Sequence, residues 1–129
     1  MQNPAFVGVC HCKDRRKFSG SAFAAVVGVP EAAFSVQGKL ATYSKTGDTG
    51  KAVERRFCPE CGLSIVEATA TMPGIAMINS GTLDDTSWVK PAVDLLWQCA
   101  ALGAARRPDA ALPEDAELIT ARHRDCGGR

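Results

Sequence analysis

Residues 53–69 read VERRFCPECGLSIVEAT, and this stretch contains two predicted strands separated by a tight turn. Val53–Phe57 and Leu63–Thr69 are short runs that mix β-branched and polar residues, which is typical of half-buried strands. In the segment Cys58–Gly62, a proline pre-sets the turn and a glycine can take the positive φ that closes it. The stretch therefore predicts β structure with a turn that carries two cysteines.

The turn itself has the sequence of a zinc knuckle. Cys58 and Cys61 are three residues apart and a glycine follows directly, so both thiolates can face one ion while backbone N–H groups point at the sulfurs. Two other interpretations remain open, namely unrelated buried cysteines and a redox dithiol. A redox dithiol needs a strand-to-helix setting, whereas the segment after Cys61 predicts a strand.

The segments on either side of this stretch also predict mainly β structure. Many short strand candidates alternate with Gly- and Pro-rich turns, which is the pattern of an all-β domain. The other predicted strands are Met1–Val9, Ser21–Val29 ended by Pro30, two short strands around Gln37-Gly38, Ile75–Ile78 and Val93–Trp97. The predicted loops are Cys10–Lys17, Ser44–Lys51 and Ser80–Asp85.

The chain has 129 residues, which is the size of one domain. We expect a single domain over residues 1–129, with a β core at 1–97 and a divergent, alanine-rich tail at 98–129. Within that tail, Pro113-Glu114-Asp115 predicts the start of a short helix that runs through Ile119.

Composition excludes several classes of function. Fifteen Lys and Arg against fourteen Asp and Glu give a net charge of +1, without the basic footprint of a nucleic-acid binder. No apolar run reaches the roughly 18 residues that span a membrane. The apolar run Ala22–Val29 is too short and too far along the chain for a secretion signal. We therefore expect a cytoplasmic protein whose six cysteines favour metal or thiol chemistry over disulfides.

Cys10-His11-Cys12 forms a second cysteine cluster. The thiolates of Cys10 and Cys12 can chelate a metal, although one pair does not complete a tetrahedral site. The basic segment Lys13–Lys17 would lower nearby thiol pKa values and make Cys12 more nucleophilic. The alternative is an ordinary solvated loop with two exposed thiols. His11 either contacts a substrate or points to solvent.

Taken in order, these motifs resemble the signature of the glutathione-dependent formaldehyde-activating enzyme family. The resemblance covers about Val9 to Trp97. It implies a β-tent fold of small antiparallel sheets around zinc, and a carbon–sulfur lyase activity that joins glutathione and formaldehyde as S-hydroxymethylglutathione. The motifs that carry it are Cys10-His11-Cys12, RKFSGSAF at 16–23, Gly38-Lys39-Leu40 with Tyr43, RFCPECG at 56–62 and GTLDD at 81–85.

The resemblance also implies two zinc sites, and four of their seven ligands are present. Cys58 and Cys61 match half of a structural site, whose other pair lies on an N-terminal hairpin without a counterpart here. Cys10 and Cys12 match two ligands of the catalytic site. The third position holds Arg15, which cannot ligate zinc and whose charge repels the ion. A single site built from all four cysteines has acceptable chemistry, but the family's geometry separates the pairs.

Three functions are compatible with this pattern. In the enzyme reading, Cys12 and Arg15 are catalytic, while Arg16 and Lys17 attract the carboxylates of glutathione. The alternatives are a non-catalytic module that binds a small anionic ligand or a protein partner, and a relative that has lost its activity. We expect impaired or altered catalysis. We also expect a homodimer or larger assembly, because the missing hairpin would uncover a sheet edge.

Overall fold

The computed structural model describes residues 4–47 and 50–95, together with the backbone of residues 121–122. The described part is mainly β, which confirms the predicted class. The one α-helix described, α1, spans Lys13–Ser19, and single 3-10 turns lie at Glu31–Ala33 and Ser80–Thr82. The strands are β1 Phe6–Cys10, β2 Ala24–Pro30, β3 Val36–Gln37, β4 Ala41–Thr46, β5 Ala52–Phe57, β6 Ser64–Thr69, β7 Ile75–Asn79, β8 Val93–Leu95 and β9 Ala121–Arg122.

Most of these strands lie in one seven-stranded sheet in the order β4-β5-β6-β7-β2-β1-β8. All neighbours in this sheet run antiparallel except β1 and β8, which are parallel. The remaining two strands, β3 and β9, form a separate parallel pair. The described strands are therefore gathered mainly into one continuous sheet rather than divided among several small ones.

Strand β2 is the centre that makes the sheet continuous. It lies between β1 and β7, and its Val26 and Val27 are both fully buried although they point to opposite faces. Such a valine-rich run suits a strand that is covered on both sides. Gly28 of this strand faces Phe6 of β1, and a Cβ at Gly28 would come within 2.2 Å of the Phe6 ring. The missing side chain makes room for that ring.

The two faces of the sheet have different chemistry. The core face carries the hydrophobic core, which includes Val7, Val27 and Ile78, and Trp88 packs against it. The opposite face carries Arg55, Glu67 and Met77, and α1 contacts these side chains. We call this second side the helix face. Successive side chains along β1 point to opposite faces. Two neighbouring residues at its end therefore lie on the core face and on the helix face.

The prediction of a loop at Cys10–Lys17 is wrong, because α1 begins directly after Cys12. The Cys12 side chain is the N-cap and accepts a hydrogen bond from the Arg15 N–H at 3.2 Å. Asp14 lies in the first turn, and Gly20 ends the helix in the left-handed conformation with φ of 66°. The acidic first turn and the left-handed glycine are ordinary helix signals, whereas cysteine is not one of the preferred N-cap residues. The helix has no apolar periodicity because it buries an arginine.

The first residues of the predicted loop Ser44–Lys51 belong to a strand, so this prediction is wrong for them. Strand β4 continues to Thr46 and pairs with β5 down to Ala52. The predicted helix at Pro113–Ile119 lies outside the described residues, as do Trp97 and most of the tail. In the part of the chain that the structure describes, no helix is long and apolar enough to cross a membrane.

Candidate functional site

The Cys10-His11-Cys12 cluster lies where β1 passes into α1. Cys10 is buried at the end of β1, and Cys12 is half-buried at the start of α1. Both cysteines line a cavity of about 280 Å³ on the helix face, together with Arg15, Glu67 and Met77. We call it the thiol cavity. The remaining lining is largely apolar and includes Val53, Met72 and Leu95.

Cys10 is a protonated thiol at neutral pH. Burial raises its pKa to about 11, and the positive charge of Arg15 offsets only part of this effect. The prediction that the basic segment lowers the thiol pKa is therefore wrong for Cys10, because desolvation outweighs the charge. Cys12 is the more accessible of the two thiols, and neither forms a disulfide bond.

Arg15 is the centre of a buried group of charges. Its side chain is 4% exposed, and Nη2 donates to Glu67 Oε1 at 2.6 Å and to Met77 Sδ at 3.3 Å. Arg55 Nε donates to the other oxygen of Glu67 at 2.8 Å. Asp14 accepts hydrogen bonds from Arg55 and Lys45, which extends the group to the edge of the sheet. These five residues are called the ion cluster below.

The ion cluster has an excess of positive charge, since three cations face two carboxylates. Arg15 Nη1 is buried and has no hydrogen-bond partner among the described residues. A buried donor without a partner costs about 1–3 kcal/mol. A ligand oxygen that reaches this donor would recover that cost, and the excess charge favours an anionic oxygen.

The structure brings Cys10, Cys12 and Arg15 to one cavity but does not bring Arg16 and Lys17 there. Neither of these last two residues lines the thiol cavity. Lys17 is exposed in the last turn of α1, and Arg16 is half-buried beside it. Arg16 and Lys17 could therefore attract the carboxylates of glutathione only from the rim of the thiol cavity or by long-range electrostatic attraction.

The turn between β5 and β6 has the local geometry predicted from its sequence. Gly62 has φ of 74°, and its N–H donates to the carbonyl of Cys58 at 2.9 Å. The N–H of Glu60 donates to Cys58 Sγ at 3.4 Å, as expected for a knuckle. Cys58 is buried, whereas Cys61 is exposed and lines a different cavity from that of Cys10 and Cys12.

The described residues do not form a complete zinc site. Within residues 4–47 and 50–95, no three His, Cys, Asp or Glu side chains are grouped so that they could hold a metal ion. The two cysteine pairs therefore do not combine into one four-cysteine site there. At the third position of the catalytic set, the Arg15 guanidinium is held by Glu67, and a guanidinium is not a metal ligand.

Two features of the site were missed by reasoning from the sequence. Glu67 is buried in β6 and orients Arg15, and the only signal for it was a single acidic residue within an apolar strand. His11 was expected to contact a substrate or point to solvent, but it is 1% exposed and bonded to Asp94. The solvent-facing interpretation of His11 is therefore wrong.

The described residues thus form a mainly β domain with a Cys-x-x-Cys turn and a Cys-x-Cys pair at the start of a short helix. The family model for the glutathione-dependent formaldehyde-activating enzyme matches residues 1–99, and the chain belongs to this family. The family is typically zinc-binding and related to glutathione. A search of curated proteins found no match to the chain.

Proposed function

We propose that the thiol cavity binds glutathione and slowly interconverts it with its formaldehyde adduct, S-hydroxymethylglutathione. Family membership supports a formaldehyde-activating type of function. The observation that carries the finer proposal is the meeting of two thiols and a buried guanidinium at one cavity. A small-molecule substrate fits this cavity better than a macromolecule does, because the lining groups lie inside it.

The ion cluster supports an anionic ligand. Arg15 Nη1 is a buried donor without a partner in the described residues, and the surrounding charges sum to an excess of one cation. A carboxylate of glutathione that accepts from Nη1 would satisfy both conditions, since charge-assisted hydrogen bonds are the stronger kind. The apolar wall at Val53 and Met72 would then contact the carbon atoms of the tripeptide.

The reaction needs little more than positioning. The sulfur of glutathione bonds to the carbonyl carbon of formaldehyde, and the thiol proton moves to the carbonyl oxygen. The protonated thiol of Cys10 or the N–H of Arg15 can donate a hydrogen bond to that oxygen. No described group at the cavity is arranged as a base for the substrate thiol, because Glu67 is held between Arg15 and Arg55. The rate enhancement therefore comes from proximity, and we expect it to be small.

Exchange spectroscopy by NMR tests this proposal. Glutathione, formaldehyde and chelator-treated protein are mixed, and the rate of adduct exchange is compared with the protein-free rate. We expect an increase of a few-fold that is lost in Arg15→Gln and retained in Arg56→Gln. Arg56 is the matched control, because it pairs with Glu54 and Glu31 outside the cavity.

The same samples distinguish the alternative function. Binding of glutathione without any change in exchange rate would replace the enzyme with a non-catalytic module that binds an anionic ligand. Absence of glutathione binding at millimolar concentration would refute both. We further propose a cytoplasmic setting, because the reduced thiols of Cys10 and Cys12 persist in a reducing compartment.

A homodimer is also part of the proposal. Within the described sheet, β4 and β8 are the edge strands, and they carry the exposed side chains of Tyr43 and Val93. An exposed strand edge is a template for pairing with a second chain. A second copy that pairs at one of these edges would cover it.

A further inference from the structure

A second cavity, of about 540 Å³, lies on the core face at the end where β1 and β8 meet. Its lining includes Val9, Phe23, Val89 and the side chains of His11 and Asp94. His11 Nε2 and Asp94 Oδ1 are 3.2 Å apart. We call this space the dyad cavity. It contains none of the residues of the thiol cavity, which lies on the opposite face.

The dyad is held by backbone pairing rather than by a mobile loop. Asp94 is the central residue of β8 and stands opposite Val9 in the parallel register. The His11 N–H donates to the carbonyl of Leu95 at 3.0 Å, which fixes the backbone of the histidine beside β8. The ring of Phe23 lies 5.8 Å from the His11 ring at an angle of 57°. The carboxylate therefore has a defined position in the wall of the cavity.

The described lining of the dyad cavity carries one carboxylate, whereas that of the thiol cavity also carries the Arg15 guanidinium. Among the described residues that line the dyad cavity, Asp94 is the one acidic residue, and none is a lysine or an arginine. The Asp94 side chain is 25% exposed, so one side of the carboxylate can be reached from the cavity. Within the described residues its one hydrogen bond is to His11. The other walls are mostly apolar, and the exposed Phe23 is among them.

We propose that the dyad cavity is a second binding site for a small molecule with a primary ammonium group and an apolar body. The ammonium group donates to the Asp94 carboxylate, and His11 orients that carboxylate through its own hydrogen bond. The apolar body packs on Phe23 and Val89, where an aromatic ring also attracts a nearby cation. This site goes beyond the proposed reaction, since it shares no lining residue with the thiol cavity.

An NMR titration of the full chain, labelled with ¹⁵N and treated with a chelator, tests the proposal. The ligands are benzylamine, benzyl alcohol of nearly the same shape, and phenylacetate of opposite charge. We expect benzylamine to bind with a millimolar dissociation constant and to shift the amide signals of His11, Phe23 and Val89. Binding of benzyl alcohol should be about tenfold weaker, because the charged hydrogen bond is lost. Phenylacetate should cause no shifts.

Two variants distinguish binding through the Asp94 carboxylate from binding through apolar contacts alone. Asp94→Asn keeps an acceptor for His11 and should weaken benzylamine binding about tenfold. Glu60→Gln, at an exposed carboxylate on the knuckle turn, should leave it unchanged. Equal binding of benzylamine and benzyl alcohol to the wild type, no binding of benzylamine, or no effect of Asp94→Asn would overturn the proposal. Glutathione binding is measured separately, so its failure would refute only the proposed reaction.

Discussion

Replacing Arg15 by cysteine should create a zinc site at the thiol cavity. The substitution removes a guanidinium that is 4% exposed and bonded to Glu67 at 2.6 Å. Breaking a buried ion pair by removing one partner costs 3–5 kcal/mol. Glu67 keeps its second hydrogen bond, from Arg55 at 2.8 Å, so we expect the lower value, about 3 kcal/mol. For a chain of this size the melting temperature should fall by about 12 °C.

Zinc should restore most of this loss in the variant. Arg15→Cys places a third thiolate beside Cys10 and Cys12, and three protein ligands with one water are the usual set of a catalytic zinc site. At a zinc concentration one hundred times the dissociation constant, binding stabilises the folded state by about 2.7 kcal/mol. The melting temperature of the variant should then return to within a few degrees of the wild-type value.

Thermal unfolding followed by circular dichroism, under reducing conditions and with or without zinc, measures both effects. Arg15→Ser is the matched control, because serine has the shape of cysteine and loses the same ion pair without adding a ligand. Any zinc bound at Cys58 and Cys61 affects all three proteins equally. Equal stabilisation by zinc of the wild type or Arg15→Ser and of Arg15→Cys would refute a third ligand at position 15. Equal stability of metal-free Arg15→Cys and the wild type would contradict the contribution of the buried ion pair.

Three other predictions concern packing, pH and assembly. Gly28→Ala should destabilise the fold by about 1–3 kcal/mol in urea unfolding, because its Cβ overlaps the Phe6 ring. Gly81→Ala has no atom within 4 Å of the new Cβ, and an equal effect there would contradict the steric explanation. Burial acts to raise the pKa of Asp14, but the hydrogen bond from Lys45 and the charge of Arg55 outweigh it and lower the pKa. The Asp14 carboxylate therefore stabilises the folded state fully above its unfolded pKa of about 3.9. This stabilisation is lost as the pH falls through the lower pKa that Asp14 has in the folded state. Acid unfolding of Asp14→Asn should accordingly be less steep, and an unchanged profile would count against the ion cluster. Light scattering at high concentration should show a homodimer, and a monomer would refute edge pairing.

The strands were predictable because their signal is local. Runs such as Ala24–Pro30 and Ile75–Asn79 contain β-branched residues in short apolar stretches, and both are strands. The knuckle turn was predictable for the same reason, since Pro59 and Gly62 determine their own backbone conformation. The family signature depends on such local motifs as well, and the family model confirms it.

The interior of the candidate site was not predictable, because its contacts join distant residues. Arg15 and Glu67 are 52 positions apart, and His11 and Asp94 are 83 apart. The sequence shows that these residues are charged or polar, but charged residues are normally exposed. Only the register of the strands shows that they face each other. Helix α1 was missed for a related reason, because its inward-facing residue is an arginine and periodicity arguments look for apolar side chains.

The parallel pairing of β1 with β8 has a consequence for the order in which the molecule folds and opens. The β1–β2 and β5–β6 pairs join strands that are near in sequence, whereas the pairing of β8 with β1 closes a loop of more than 80 residues at a larger entropic cost. Strand β8 has three residues and lies at one edge of the sheet that the described residues form. It is therefore expected to detach first in local unfolding, before the centre of the sheet. Native-state hydrogen exchange should show faster exchange for the His11 amide, which is bonded to β8, than for Val27 at the centre. The site around Asp94 would then assemble last and be the first to come apart.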